Sequence, residues 1–100
     1  MVIDSKLNGD TGVLTLTGRL DTVTAPKLQE ALTEAIPAAA ELELDFSGVD
    51  YVSSAGLRVL LLGQKNSKAA GKTMVLKNVS PDIMEVFEIT GFSGILTVIN

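Results

Sequence analysis

One stretch of the sequence changes from a strand pattern to a helix pattern: Asp45-Phe46-Ser47-Gly48-Val49-Asp50-Tyr51-Val52-Ser53-Ser54-Ala55-Gly56-Leu57-Arg58-Val59-Leu60-Leu61-Leu62. It begins within a run, residues 41–46, in which acidic and apolar side chains alternate as they do in a strand. The next residues are rich in turn formers, and from Leu57 onward the apolar residues follow helical spacing. The stretch therefore predicts a strand, a turn at residues 47–50 and a helix that begins at about Ser54.

Ser53 and Ser54 lie where this helix begins, and the chemistry of a helix start allows two roles for them. The first backbone N–H groups of a helix have no intrahelical partners and together carry about half a positive charge. A serine there can cap the helix, a role worth ~1 kcal/mol. Alternatively, its hydroxyl can carry a phosphate, which the helix start stabilises. The residue chemistry alone favours capping.

Residues 45–60 resemble the signature of the STAS domain, the fold of bacterial anti-sigma factor antagonists. In that family a serine two residues before a glycine is phosphorylated by a partner kinase, and the matching residue here is Ser54. Phosphorylated members often have an aspartate just before the acceptor, whereas this chain has Ser53, which makes Ser53 the second candidate. The resemblance extends to Gly18-Arg19-Leu20-Asp21, which is followed by Thr24 and Ala25, and to the order of strands and helices.

The resemblance implies an anti-sigma factor antagonist that is switched by phosphorylation. Unmodified, it would bind an anti-sigma factor serine kinase and free the sigma factor; phosphorylation of Ser54 would end that binding, and a phosphatase would restore it. The free protein is expected to be a monomer. The residues expected at the partner surface are Arg19, Asp21, Thr24, Ser53, Gly56, Arg58, Val59 and Leu62. Among them, Asp21 is expected to contact the kinase, and Thr24 to cap the helix that follows it.

Two other functions remain open. The first is a STAS subunit of a lipid-transport or stress-signalling assembly, in which the serine only caps the helix. The second is a small hydrolytic enzyme that uses Ser54 and a carboxylate. The chain has no histidine and no cysteine, so the usual general base, thiol nucleophile and zinc ligands are missing. We therefore predict no catalytic residue, no metal and no cofactor.

The composition indicates one globular domain, residues 1–100. The chain is 46% hydrophobic and 20% charged, and 100 residues suffice for a single core. A net charge of -4 without a basic cluster argues against a nucleic-acid partner. The amino terminus lacks the pattern of a secretory signal, and no apolar run approaches the ~20 residues that span a bilayer. We expect a cytoplasmic protein without membrane insertion.

Periodicity and turn residues predict a strand hairpin followed by alternating helices and strands. The expected elements are strands at 2–7 and 12–17, a helix from 25 to Pro37, a strand at 41–46, a helix at 54–69, a strand at 72–77, a helix at 81–90 and a strand at 95–99 at or near a sheet edge. The hairpin should be antiparallel and the later strands parallel. Three carboxylates at 41–45 predict a wet sheet face. The predicted fold is an α/β, STAS-like sandwich with a mixed β-sheet of about five strands and α-helices packed mainly on one face.

The helix at 54–69 carries two apolar patches. One comprises Leu57, Leu60 and Leu61 and is expected to face the sheet; the other comprises Ala55, Val59 and Leu62. A helix that lies on a sheet needs only one such stripe, so the second patch meets either a neighbouring helix, which is the favoured answer, or another protein. In the second case Val59 and Leu62 are the residues that we expect to contact the partner.

Overall fold

The computed structural model describes residues 1–99, which form five strands and three helices joined by short loops. The strands are β1 (Val2–Asn8), β2 (Thr11–Leu20), β3 (Glu41–Val52), β4 (Thr73–Lys77) and β5 (Val98–Ile99). The helices are α1 (Ala25–Ala38), α2 (Ser54–Ala69) and α3 (Pro81–Thr90), and a short 3-10 turn, Phe92–Gly94, follows α3. Within residues 1–99, none of the helices combines the length and the apolar character that crossing a bilayer requires.

The strands form one mixed sheet in the order β1-β2-β3-β4-β5. β1 and β2 pair antiparallel, and the pairs β2/β3, β3/β4 and β4/β5 are parallel. A helix joins each parallel pair, and the three crossovers step in the same direction along the sheet. Because such crossovers are right-handed, all three helices lie on one face. The predicted mixed sheet with its helices on one face is confirmed.

The core lies between the sheet and this helical layer. Alternate residues of the central strands point into it, and the fully buried side chains of these strands are Leu14, Leu16, Leu20, Leu42, Leu44, Phe46, Met74 and Leu76. Each helix adds a buried side chain, and those with the least exposure are Leu28, Leu60 and Phe87. The rings of Phe46 and Phe87 meet edge to face with 6.5 Å between their centroids, so α3 is fixed against the central strand by an aromatic contact.

The opposite face of the sheet carries the acidic residues of β3. Glu41 is exposed, and Glu43 and Asp45 are half-buried. The Nζ atom of Lys77 on β4 lies 2.9 Å from Oε1 of Glu43. The prediction of a wet sheet face near this strand is therefore confirmed.

β2 and β3 extend further than the sequence predicts, to Leu20 and Val52. The turn predicted at residues 47–50 is wrong, because these residues lie within β3 and pair with β2 through two shifts of register. Gly48 permits this irregular pairing, since a Cβ atom there would lie 2.9 Å from the carbonyl oxygen of Leu16. The turn-forming residues therefore belong to a bulged strand pair, which brings the ends of β2 and β3 together.

Two other boundaries differ from the prediction. α1 passes through Pro37 and ends at Ala38; because Pro37 lies in the last turn, its missing N–H removes only one hydrogen bond near the helix end. The final strand comprises Val98–Ile99 and does not begin at residue 95. The N–H of Leu96 donates to the carbonyl of Phe92 at 2.8 Å, so this segment bonds to the preceding turn. β5 does lie at the sheet edge, as predicted.

Candidate functional site

The carboxyl ends of the neighbouring parallel strands β2 and β3 lie side by side. The backbone N–H of Ser53, just after β3, donates to the carbonyl of Leu20, the last residue of β2, at 2.8 Å. After these bonded residues, one segment enters α2 at Ser54 and the other enters the loop 21–24 that leads to α1. The start of α2 and the loop 21–24 therefore begin at adjacent, hydrogen-bonded strand ends.

Ser53 caps α2. Its backbone is extended (φ -89°, ψ 173°), and its Oγ atom accepts a hydrogen bond from the N–H of Gly56 at 3.2 Å. Its carbonyl accepts the first helical hydrogen bond, from Leu57, at 2.9 Å. Ser53 is half-buried, whereas Ser54, the first helical residue, is exposed. The capping role thus belongs to Ser53, and Ser54 is the more accessible of the two hydroxyl residues.

Gly56 is buried against β2, so its predicted place in the partner surface is wrong. A Cβ atom at this position would lie 2.7 Å from Cγ and 3.0 Å from the carbonyl oxygen of Leu20. Any larger residue would push α2 away from the end of β2. Gly56 therefore acts from inside the protein: it lets α2 begin close to β2, and its N–H completes the Ser53 cap.

The carboxylate of Asp21 organises the loop 21–24. Its Oδ1 atom accepts hydrogen bonds from the backbone N–H groups of Thr24 at 3.1 Å and Val23 at 3.0 Å. The N–H of Thr24 is the main cause that lowers the pKa of Asp21 below its ordinary value of 3.8. Asp21 is therefore ionised at neutral pH.

Thr24 occupies the N-cap position of α1, but its side chain makes no cap hydrogen bond. Its hydroxyl donates instead to the carbonyl of Arg19 at 2.7 Å and accepts from the N–H of Asp21 at 2.9 Å. The prediction that the Thr24 side chain caps α1 is therefore wrong. The hydroxyl closes the loop 21–24 onto the end of β2, which holds the loop next to the start of α2.

Arg19 and Tyr51 form a pair beside this loop. They are register partners on β2 and β3, and Cζ of Arg19 lies 4.1 Å from the centroid of the Tyr51 ring. Nε of Arg19 also lies 3.8 Å from Oδ2 of Asp21. The guanidinium group is thus held between an aromatic ring and a carboxylate, and both Arg19 and Tyr51 are exposed.

Two surface residues here were not predicted from the sequence. Tyr51 stands next to Arg19, and Val23, at the tip of the loop 21–24, is 85% exposed. A signal for each was present: Val23 is an apolar residue between threonines, and Tyr51 is the aromatic residue nearest to the two serines. Aromatic and apolar side chains that remain exposed beside a candidate site are typical contact residues of protein interfaces.

The second apolar patch of α2 mostly meets α1. The two helices pack together, and Val59 is buried in the core while Ala55 is half-buried against it. The favoured prediction, a neighbouring helix, is confirmed. The prediction that Val59 contacts a partner is wrong, because α1 and the core cover it. Leu62 is 37% exposed, and Arg58 is exposed, so these two predicted residues do reach the surface.

The resulting surface offers an exposed hydroxyl at the positive end of a helix. Ser54 and Arg58 are four residues apart on α2, and residues at this spacing share a helix face. The first turn of α2 contains no carboxylate. Among residues 1–99, no group of three or more His, Cys, Asp or Glu side chains is arranged to hold a metal ion. The chemistry that this arrangement favours is the attachment of an anionic group to the hydroxyl.

Comparison with known proteins identifies the family. Residues 3–98 match the family described as Mlab, STAS domain. The chain belongs to the STAS domain family. One relative of this STAS domain protein is the anti-sigma-B factor antagonist of Bacillus subtilis (strain 168), which is 30% identical over 96 residues; these cover 96% of the chain and 88% of the relative. The STAS domain protein is therefore a member of the anti-sigma factor antagonist family.

A second relative is BtrV of Bordetella bronchiseptica, which is 47% identical over 57 residues. That match covers 57% of the STAS domain protein and 49% of BtrV, about half of its length. Among solved structures, the anti-sigma factor antagonist SpoIIAA in its unphosphorylated form superposes with a TM-score of 0.82 at 20% identity, covering 99% of this chain and 89% of that one. The phosphorylated form of Bacillus SpoIIAA gives a TM-score of 0.76, also at 20% identity, over 99% and 92% of the two chains. These likenesses confirm the predicted STAS fold.

Proposed function

We propose that this STAS domain protein is a cytoplasmic anti-sigma factor antagonist that phosphorylation of Ser54 switches off. Unmodified, it binds an anti-sigma factor serine kinase and frees the sigma factor; the kinase phosphorylates Ser54, and a phosphatase returns the binding form. The similarity to a named anti-sigma-B factor antagonist supports the antagonist role. SpoIIAA, which has the same fold, is known in both an unphosphorylated and a phosphorylated form. The role is regulatory rather than catalytic.

The observation that supports the proposal most strongly is that Ser53 and Ser54 differ in hydrogen bonding and in exposure. The Oγ atom of Ser53 accepts a hydrogen bond from the N–H of Gly56, so this hydroxyl caps the helix. Ser53 is also half-buried. Ser54 is exposed and stands at the first position of a 16-residue helix. A kinase active site can therefore reach the Ser54 hydroxyl without breaking the cap. We assign the phosphate to Ser54, with Ser53 as the second candidate.

A phosphate on Ser54 suits its immediate surroundings. It would add roughly -1.5 to -2 charges at neutral pH, next to the positive end of the α2 dipole. Arg58, one turn further on, offers a second positive charge on the same helix face. Because these local interactions are favourable, phosphorylation should leave the fold of the free protein unchanged.

The same phosphate is unfavourable at the interface with the kinase. The contact surface that we propose comprises Ser54, the loop 21–24 with its exposed Val23, the Arg19 and Tyr51 pair, and Leu62. A partner fitted to a neutral serine must desolvate a dianion that lies near the ionised Asp21. A loss of only ~3 kcal/mol would weaken binding more than a hundredfold.

The test is to titrate each anti-sigma kinase of the host with the Ser54→Asp and Ser54→Ala variants and to record their circular dichroism spectra. We expect Ser54→Asp to keep the wild-type spectrum and to bind more weakly, and Ser54→Ala to bind as the wild type does and to resist inactivation by ATP. The Ser93→Asp variant is the matched control. Ser93 is exposed and follows α3, which begins after the carboxyl end of β4 and returns the chain toward the opposite end of the strands, away from Ser54.

Two results would count against the proposal. One is a Ser54→Asp variant that binds the kinase as tightly as the wild type does. The other is a Ser93→Asp variant that loses affinity to the same degree, because the effect would then reflect net charge alone. If no anti-sigma kinase of the host binds the wild-type protein, the alternative of an assembly subunit without phosphoswitching takes its place.

A further inference from the structure

The edge strand β1 presents an open row of backbone groups. Among residues 1–99 it pairs only with β2, and the sheet ends at β1 on this side. Two of its apolar side chains are largely exposed, Val2 at 67% and Leu7 at 64%. Proteins usually cover, twist or charge such an edge, because it can pair with another strand. β1 does carry two charged residues, Asp4 and Lys6, but their charges have opposite signs, so they need not repel a second copy of the strand.

The hairpin turn determines which backbone groups point outward. The loop between β1 and β2 has two residues, and Asn8 is paired with Thr11 across it, so the carbonyl of Asn8 points toward β2. In an antiparallel ladder, residues alternate between pointing toward one neighbour and pointing toward the other. The N–H and carbonyl groups of Ile3, Ser5 and Leu7 therefore point away from β2, toward the open edge.

We propose that two copies of this chain associate by antiparallel pairing of their β1 strands about Ser5. In this arrangement Ser5 lies opposite Ser5 of the second copy, and Ile3 lies opposite its Leu7. Both are pairs of outward-pointing residues, so each can exchange two backbone hydrogen bonds. Asp4 lies opposite Lys6 of the second copy, twice over by symmetry. This single register therefore provides backbone hydrogen bonds, apolar contacts and pairs of opposite charge between the two copies.

The neighbouring registers are disfavoured by charge. If the strands slip by two residues in one direction, Ile3 lies opposite Ser5 of the second copy, and outward-pointing residues still pair. In that register, however, Asp4 lies opposite Asp4 of the second copy. Slipping the other way, so that Ser5 faces Leu7, places Lys6 opposite Lys6. Like charges directly opposite each other on a sheet are destabilising. The pattern of β1 therefore specifies one register of self-pairing.

A cleft beside β1 gives the second copy's apolar side chain a place to pack. Ile3, Ser5 and Leu7 stand on the helical face of the sheet, because their partners on β2 are the buried Leu16, Leu14 and Gly12. A cleft of about 410 Å³ lies between β1 and α1, with Ile3, Ala31 and Ala35 in its lining and Lys27, Glu30 and Glu34 as its charged residues. In the proposed pair, Leu7 of the second copy stands next to Ile3, at this cleft.

The pairing leaves the candidate site free. Ser53 and Ser54 follow β3, two strands in from the β1 edge, which is roughly 10 Å away at the usual strand spacing. The pairing does not rest on the proposed function, and it needs no kinase. At low concentration the protein should be the monomer that the sequence predicts, because an interface made by a single edge strand is small.

The test is sedimentation equilibrium of the full chain from micromolar to millimolar concentration, with hydrogen exchange at both ends of that range. We expect the mass to rise from 10.5 kDa toward twice that value, and the amides of Ile3, Ser5 and Leu7 to become protected as it rises. Asp4→Lys and Lys6→Asp should each weaken the dimer by roughly tenfold or more, because each creates two like-charge pairs. Mixing these two variants should restore association, since every cross-strand pair is then complementary again.

The Ser5→Pro variant provides a backbone test. The N–H that proline removes at position 5 points to the open edge, so the β1/β2 ladder keeps all of its hydrogen bonds. The dimer, by contrast, loses the hydrogen bonds between the two Ser5 residues at its centre. Ser5→Ala is the matched control and should dimerise as the wild type does. A protein that stays monomeric at millimolar concentration would overturn the proposal. So would a dimer whose protected amides lie outside β1, or a mixture of Asp4→Lys and Lys6→Asp that associates no better than either variant alone.

Discussion

The contact between Gly56 and β2 can be tested by adding one methyl group, with Gly63 as the matched control. Both glycines are buried on α2, and alanine would raise the helix propensity at both. A Cβ atom at position 56 would lie 2.7 Å from Cγ and 3.0 Å from the carbonyl oxygen of Leu20. At position 63 it would lie 2.9 Å from Cδ1 of Leu32 and 3.1 Å from Sδ of Met74, which belong to flexible side chains.

The size of the effect follows from two opposing contributions. Alanine in place of glycine stabilises a helix interior by about 0.8–1.0 kcal/mol, and overpacking a core costs about 1–3 kcal/mol. At Gly63 the obstructing atoms can rotate away, so the two contributions should cancel to within about 1 kcal/mol. At Gly56 the backbone carbonyl cannot move without shifting β2, and we expect a net loss of about 1–2 kcal/mol, or roughly 4–16 °C in Tm for a domain of this size.

The assay is urea unfolding followed by circular dichroism for the wild type, Gly56→Ala and Gly63→Ala. We expect Gly56→Ala to be clearly the less stable of the two variants, with an unchanged slope of unfolding free energy against urea. If Gly56→Ala were as stable as Gly63→Ala, the start of α2 would not depend on a glycine at its contact with the end of β2.

Three further predictions concern single side chains. Replacing the cap residue, Ser53→Ala, should lower the free energy of unfolding by ~1 kcal/mol, whereas Ser54→Ala should leave it nearly unchanged; urea unfolding of both variants compares them. The N–H of Thr24 lowers the pKa of Asp21 below 3.8, so ionised Asp21 stabilises the fold above the ordinary pKa, and this contribution is lost as the pH falls through the lowered value. Asp21→Asn should therefore lose less stability than the wild type between about pH 5 and pH 2, and an equal loss in both proteins would contradict the assignment. Leu62→Ala should weaken kinase binding while lowering the unfolding free energy by less than about 2 kcal/mol, and a large fall in Tm with unchanged affinity would place Leu62 in the core instead.

Local signals explain what the sequence predicted well. The serine cap at position 80, with the acceptor Oγ 3.3 Å from the N–H of Ile83, and the left-handed Gly91 (φ 81°) mark α3 at both ends, as their residue types indicate. The two-residue turn of the hairpin is equally local. These features depend on residues a few positions apart, so a sequence displays them directly.

The long strand β3 was not predicted, because its signal depends on a partner. Ser47 and Gly48 read as a turn, yet they continue a strand because β2 lies alongside with a shifted register. The apolar residues Phe46, Val49 and Val52 are spaced by three, and they are all buried; this break in the alternation is the trace that a bulge leaves in a sequence. Recognising it would have required knowing which strand pairs with β3.

Burial on α2 also depends on contacts distant in sequence. The spacing of Val59 and Leu62 places them in one patch, and the sequence could not say how far α1 covers it. The structure divides the patch: Val59 is covered and Leu62 remains at the surface. The same limitation applies to Tyr51, whose position beside Arg19 follows from the strand register and has no signature within either segment.

Phosphopeptide mapping, after incubation of the protein with each anti-sigma kinase of its host and ATP, tests directly whether Ser54 is the phosphorylated residue. The wild type, Ser53→Ala and Ser54→Ala would be treated in parallel. We expect one phosphate, on Ser54, in the wild type and in Ser53→Ala, and none in Ser54→Ala. A phosphate on Ser53 in the wild type, or no phosphate on either serine with any of these kinases, would contradict it.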